Sequence, residues 1–238
     1  MSHSVLITGI SSGIGRGLAQ ACLERGDQVF ALGRKPMPDG AGLPGLHFVP
    51  CDLARFGDIP QALARLLAGV NRLDTVILNA GILGGISDLA DTSMERLKEV
   101  MDVNLWANKA LLDALFAGPW EVDQVVAISS GAAVSGARGW SGYALSKAAL
   151  NMLIKLYAAE RPQTHFTALA PGLVDTGMQT YARALPADPR FPSIDRLKRA
   201  HGTADMPMPD EAAPKLLEAV RILRRKPSGD FHDLRTMS

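Results

Sequence analysis

Tyr143 and Lys147 stand four residues apart in a stretch whose apolar spacing is helical, so their side chains leave the same face of one helix. A free phenol titrates near ~10, too high for easy proton exchange at neutral pH, and a neighbouring ammonium favours the phenolate. Lys147 could therefore tune Tyr143 as a proton donor or acceptor. Ser130, thirteen positions earlier at the end of an apolar run, could hydrogen-bond a substrate oxygen and stabilise charge developing on it. Asn104, in a long helical stretch farther upstream, could hold a water in a proton relay to Lys147. Each of these residue types is common, and Tyr-x-x-x-Lys arises by chance, so the chemistry rests on their joint spacing.

A second constellation is the run Thr8-Gly9-Ile10-Ser11-Ser12-Gly13-Ile14-Gly15, between a first apolar strand and a first amphipathic helix. Free N–H groups and the helix dipole at such a junction favour a diphosphate, and glycines let the chain turn tightly beneath it. A structural turn needs the same residue; the position after the first strand argues for a dinucleotide. Dinucleotide folds that prefer NAD usually carry an acid at the end of the second strand, where it bonds the ribose 2′-hydroxyl and repels a 2′-phosphate. Here stand Gly33 and Arg34, and a guanidinium can bind that phosphate through charge-assisted hydrogen bonds. The cofactor expected is NADPH/NADP+.

Positioning these residues requires a scaffold of alternating elements. Short runs rich in Val, Ile, Leu or Phe at 4–8, 28–32, 46–50, 75–78, 125–129 and 164–170 read as strands, with a last one at 230–234. Helical spacing fills 59–68, 93–116, 143–160 and 211–224, the second opening with Thr92 and Glu95 spaced as a capping box. This alternation predicts an α/β fold, a Rossmann-type doubly wound parallel sheet in three α/β/α layers, as a single domain over 1–238. Between about 177 and 210 the pattern breaks around Pro186, Pro189 and Pro192, leaving a short helix at 194–199 in what reads as a substrate lid. Trp140, Leu185 and Phe191 would give its mouth an apolar or aromatic character, or simply pack in a core.

Composition narrows the function classes. Among 238 residues, 25 Lys and Arg against 24 Asp and Glu leave a net charge of +1, too little to draw nucleic acid or an anionic membrane. No apolar run is long enough to span a bilayer, no leader pattern opens the chain, and Cys22 and Cys51 have neither metal-ligand nor disulfide-framework spacing. A cytoplasmic enzyme of small molecules, without a metal, is expected.

Taken together, Thr8 through Gly15, Asn79-Ala80-Gly81, Asn104, Ser130, Tyr143, Lys147 and Pro171-Gly172 resemble the short-chain dehydrogenase/reductase family in order and spacing over essentially the whole chain. The resemblance implies a tetrad of Asn104, Ser130, Tyr143 and Lys147 that moves hydride between NADP and a carbonyl or alcohol substrate. It implies that Asn79, Ala80 and Gly81 steady the sheet beside the cofactor, and that Asp52 and Leu53 flank the adenine. Pro171, Gly172, Val174 and Thr176 would line the nicotinamide. It also implies a homodimer or homotetramer built through the helices at 93–116 and 143–160. Within the family, Gly139-Trp140-Ser141-Gly142-Tyr143 and the run from Ala170 to Gln179 are most similar to sepiapterin reductase and benzil reductases, which reduce a ketone or diketone with NADPH. In sepiapterin reductase an acid near the C-terminus contacts the pterin, and Asp233 falls close to that position; an Asp there also serves the fold in many family members. Gly177 departs from the acid that sepiapterin reductase carries at its matching place. Two rivals remain: a catalytically silent NADPH-binding regulator, and a β-ketoacyl carrier reductase docking an acidic carrier on Arg221, Arg224, Arg225 and Lys226.

Overall fold

A computed structural model describes residues 2–237. Seven parallel strands form the central sheet: β1 (Ser4–Thr8), β2 (Gln28–Gly33), β3 (Leu46–Pro50), β5 (Thr75–Leu78), β7 (Gln124–Ile128), β8 (His165–Ala170) and β9 (Phe231–Asp233). Their order is β3-β2-β1-β5-β7-β8-β9, so the winding reverses between β1 and β5. Such a reversal opens a crevice at the carboxyl ends of the strands. Two-residue strands β4 (Arg72–Leu73) and β6 (Glu121–Val122) pair separately with each other. The helices are α1 (Gly13–Glu24), α2 (Ile59–Leu66), α3 (Met94–Met101), α4 (Ala107–Ala117), α5 (Ala132–Ser135), α6 (Ser141–Glu160), α7 (Gly177–Ala184), α8 (Pro192–Ala200) and α9 (Pro209–Leu223).

Period-two alternation decides which face each strand residue covers. Leu6, Val76, Leu78, Val125, Ala127, Phe166 and Ala168 join the core beneath α2, α4 and α6, with Leu63, Leu111, Leu150 and Ile154. Val5, Ile7, Ile77, Val126, Ile128 and Leu169 join the opposite core beneath α1 and α9, with Leu18 and Leu216. Both faces of the sheet are thus buried, which is why its strands read as nearly unbroken apolar runs.

Three expectations are corrected here. The helix 93–116 is not continuous α-helix: Asp102–Trp106 forms a π-turn, in which the Ala107 N–H donates to the Asp102 carbonyl five residues back. Its cap is Ser93, whose Oγ accepts from the Arg96 N–H at 3.3 Å, whereas Thr92 donates to the Asp88 carbonyl. The expected Thr92 and Glu95 box therefore sits one residue out of place, because Thr92 is drawn into the preceding turn. The segment 177–210 also holds an unforeseen helix, α7. Ala182 of α7 packs with Phe191, Ile194, Leu197 and Met206 in a third small core, so tertiary burial stabilises a helix too short to hold by itself.

Candidate active site

The glycine turn closes over the end of β1. Gly9 and Gly13 have φ of 75° and 59°, in the left-handed region that favours glycine. A Cβ on Gly15 would lie 2.2 Å from the Gly9 carbonyl oxygen and 2.3 Å from Asn79 Nδ2. Only bare backbone fits, and it leaves a cradle open at the start of α1. No side chain caps that helix; Ser12 is extended and the first turn carries no acid. Its free N–H groups and positive dipole end suit a diphosphate, so the residues present fit the implied dinucleotide. Ser11 is half-buried and Ser12 exposed at this rim, while Ile14 packs partly into the core.

Thr8 and Asn79 act on each other. Thr8, fully buried, accepts from the Asn79 and Ala80 N–H groups at 3.0 Å each, and Asn79 Nδ2 donates to the carbonyls of Thr8 at 2.9 Å and Gly9 at 3.0 Å. These four bonds lock β1 to β5 at the switch point and fix the shape of the glycine turn. On the far side of β1, Arg34 and Lys35 are exposed just past β2, and neither forms an ion pair among the described residues. Asp52 is exposed at the end of β3, while Leu53 turns into the core.

At the adjoining end of the crevice, α6 brings Tyr143 and Lys147 together. Lys147 is buried; its Nζ donates to the Ile128 carbonyl at 2.7 Å and lies 5.8 Å from the centre of the Tyr143 ring. Burial disfavours its charge and pulls its pKa down to about 8. Burial pushes the Tyr143 phenol up, and the Ser130 hydroxyl pulls it partly back. Tyr143 is therefore protonated at neutral pH, the form that can donate. Ser130 sits at the end of β7, where its Oγ accepts from the Ala132 N–H at 3.1 Å.

The π-turn aims Asn104 beneath this group. Its Oδ1 accepts from the Ile82 N–H at 2.8 Å, and its Nδ2 donates to the Ile82 carbonyl and to Ser146 Oγ, both at 2.9 Å. A Cβ on Gly81 would meet Asn104 Oδ1 at 3.1 Å and Lys147 Nζ at 3.6 Å, so the loop after β5 lies between them. Both side-chain N–H donors of Asn104 are spent within the protein. The structure makes it a brace for that loop.

Sequence reasoning passed over Ser146, which links Asn104 to α6, and Ser129, which donates to Asn151 Oδ1 at 2.5 Å and ties β7 to α6. Their signal was position: they neighbour Lys147 and Ser130 in the chain. The loop after β8 covers the other side, with Val174 buried and Thr176 standing over Gly13, whose Cβ it would meet at 3.3 Å. Pro171 and Gly172 are half-buried at the start of this loop. Trp140 stacks obliquely on Tyr143 at 6.0 Å and donates through Nε1 to Ser193 of α8 at 2.9 Å, while Phe191 is buried in the small third core. Asp175 binds both Arg183 at 2.7 Å and His201 at 3.0 Å, tying α7 and the end of α8 to this loop.

A protein-family model described as short chain dehydrogenase matches residues 3–186, well over half of the chain. The chain belongs to the short-chain dehydrogenase family. This short-chain dehydrogenase is 29% identical to benzil reductase ((S)-benzoin forming) of Bacillus subtilis (strain 168) over 242 residues, 97% of each protein. It is 32% identical to sepiapterin reductase of Bos taurus over 243 residues, covering 91% of this chain and 88% of that protein. Among solved structures, the KRED1-Pglu enzyme superposes with a TM-score of 0.84 at 25% identity, covering 96% of this chain and all of that one. Membership makes the chain an oxidoreductase of a family that binds nicotinamide cofactors. Among its described residues no helix is long and apolar enough to cross a membrane. Of the basic cluster near the C-terminus, Arg221 pairs with Glu218 and Arg224 with Asp123, while Arg225 and Lys226 are exposed and form no ion pair among the described residues.

Proposed function

We propose that this short-chain dehydrogenase is an NADPH-dependent reductase of ketone or diketone carbonyls, able to run backwards on the alcohol. The observation that carries this reading is the pairing of Tyr143 with the buried Lys147 beside the glycine turn, at the carboxyl ends of the strands. A bound reduced nicotinamide would supply hydride to the carbonyl carbon. Tyr143 donates its proton to the carbonyl oxygen, and Ser130 holds that oxygen as it gains charge. Lys147, with one donor on Ile128, turns the others to the cofactor ribose and the phenol. Helices α7 and α8 serve as the lid, drawn against Trp140 through Ser193. Leu145, Met152 and Leu156 of α6 and Trp106 before α4 leave exposed apolar surface where the family's homodimer or homotetramer would form; a mass measurement in solution reads that state.

NADPH oxidation followed at its absorbance band, with benzil, sepiapterin and simple aryl ketones as substrates, tests the reaction. No turnover of any carbonyl compound would end this reading. Cofactor choice is tested separately: Arg34→Asp should weaken NADPH binding by about a hundredfold and NADH binding by little, since the lost contact is charge-assisted and bidentate. Equal losses for the two cofactors would remove Arg34 from the phosphate site.

The Lys147 titration sets a pH dependence. The ammonium is the form that steadies the ribose and favours proton release from Tyr143, and it is lost as pH rises through about 8. Because kcat/KM for NADPH reports groups of the free enzyme, it should fall by about tenfold per pH unit above that point. A flat profile between about pH 7 and 9.5 would contradict the role of Lys147.

A further inference from the structure

We propose that Arg235, held in place by Asp233, selects the substrate, and that the pocket is built for a 2-oxo acid, a ketone whose reacting carbon bears a carboxylate. The inference rests on the reductase reading and names the substrate class of that same site. The side chain of Arg235 crosses the ends of β7 and β8. A Cβ on Gly172 would meet its Cγ at 3.4 Å and its Cδ at 3.7 Å, and a Cβ on Gly131 would meet its Nη2 at 2.9 Å. Gly131 directly follows Ser130, and Gly172 opens the loop that covers the glycine turn. The guanidinium therefore lies one residue away from the group that would hold the reacting oxygen, over backbone that has no side chains to keep it out.

Asp233 accounts for this placement. Its Oδ1 accepts from Arg235 Nε at 2.9 Å and from the Arg235 backbone N–H at 3.0 Å, and its Oδ2 accepts from Nη2 at 2.5 Å. Both carboxylate oxygens face the guanidinium, so the acid positions the arginine and is poorly placed to read a substrate itself. Two of the five guanidinium N–H donors are engaged in this way, and three remain. The Arg235 side chain is 45% exposed against 14% for Asp233, so the arginine stays open to solvent while the acid beneath it is largely covered.

Charge favours an anion over a second neutral carbonyl. Asp233 neutralises one cation, Arg235, whose hydrogen bonds are the main cause that holds its carboxyl below the ordinary carboxylate range. The charge of Arg196 on α8 adds to this in a small way, and Arg196 forms no ion pair of its own among the described residues. Asp195 leaves α8 roughly 100° around the helix from Arg196, on another face. One positive charge is left over at the mouth, and a planar fork with free N–H groups matches a carboxylate in geometry as well as sign. Reduction would leave that carboxylate unchanged: a C–H bond forms at the adjacent carbonyl carbon, the C=O becomes C–OH with the proton from Tyr143, and NADPH becomes NADP+.

The test compares phenylglyoxylate with its methyl ester, which differ only in the anionic group. In the native protein kcat/KM should favour the acid by roughly 30-fold, the worth of a hydrogen bond to a charged group. Arg235→Leu should bring that ratio near unity through KM for the acid, and Arg235→Lys should restore part of it. Asp233→Asn should lower the ratio through a raised KM for the acid, because the arginine loses the carboxylate that holds it in place. Calorimetric titration of phenylglyoxylate into the protein with NADP+ gives a readout independent of turnover, with binding lost in Arg235→Leu. If neutral diketones are reduced but the ratio is the same with and without Arg235, this inference falls and the reductase reading stands. If no carbonyl compound is reduced, the reductase reading falls, and the titration still decides whether Arg235 binds the anion.

Discussion

Replacing Tyr143 with Phe should lower kcat by about a thousandfold, the usual worth of a positioned proton donor, and leave NADPH affinity within about twofold. The change deletes one oxygen and keeps the ring. That ring still rests against Trp140 at 6.0 Å and beneath Lys147 Nζ at 5.8 Å, so neither α6 nor the cofactor crevice should shift. Quenching of protein fluorescence by NADPH reads the binding, and single-turnover absorbance reads the chemical step. A Phe variant that reduces carbonyl compounds at the native rate would transfer the proton donor to some other group, and with it the whole arrangement drawn around Ser130 and Lys147.

Gly15→Ala should be severely damaging for so small a change. Its methyl would stand 2.2 Å from the Gly9 carbonyl oxygen and 2.3 Å from Asn79 Nδ2, and both are held in place by the bonds that join β1 to β5. The backbone, unlike a flexible side-chain tip, cannot swing aside. The expected cost is about 3 kcal/mol of stability, read as a melting temperature lower by roughly 6–12 °C for a chain of this size. NADPH binding should weaken by at least about a hundredfold, because the cradle must widen where a diphosphate is to sit. Gly57→Ala is the control: Gly57 is exposed, with nothing within 4 Å of its added Cβ, and should melt with the native protein. Equal behaviour of the two variants would show that the tightness at Gly15 has no bearing on the cofactor.

Much of this architecture is legible in the chain because its signals are local. The strand run 75–78 ends where its sheet strand ends, since burial on both faces makes such a central strand apolar. The glycine turn between β1 and α1, and the one-turn offset of Tyr143 and Lys147, are properties of neighbouring residues. Family resemblance added what spacing alone leaves open, above all which serine and which asparagine belong with that pair.

The amino-acid sequence by itself determined the order of elements, the doubly wound sheet, the bare-backbone turn and the helical pairing of phenol and amine, because each is set by residues within a few positions of one another. Only the tertiary structure decided that Thr8 and Asn79, 71 positions apart, spend their polar atoms on each other. It alone bent the helix at Asn104 to meet Ile82, formed α7 by burying Ala182, and fastened Asp233 to an arginine lying over Gly131 and Gly172. Those outcomes depend on which buried donors and acceptors happen to face each other once the sheet has closed, and no local pattern of residues encodes that.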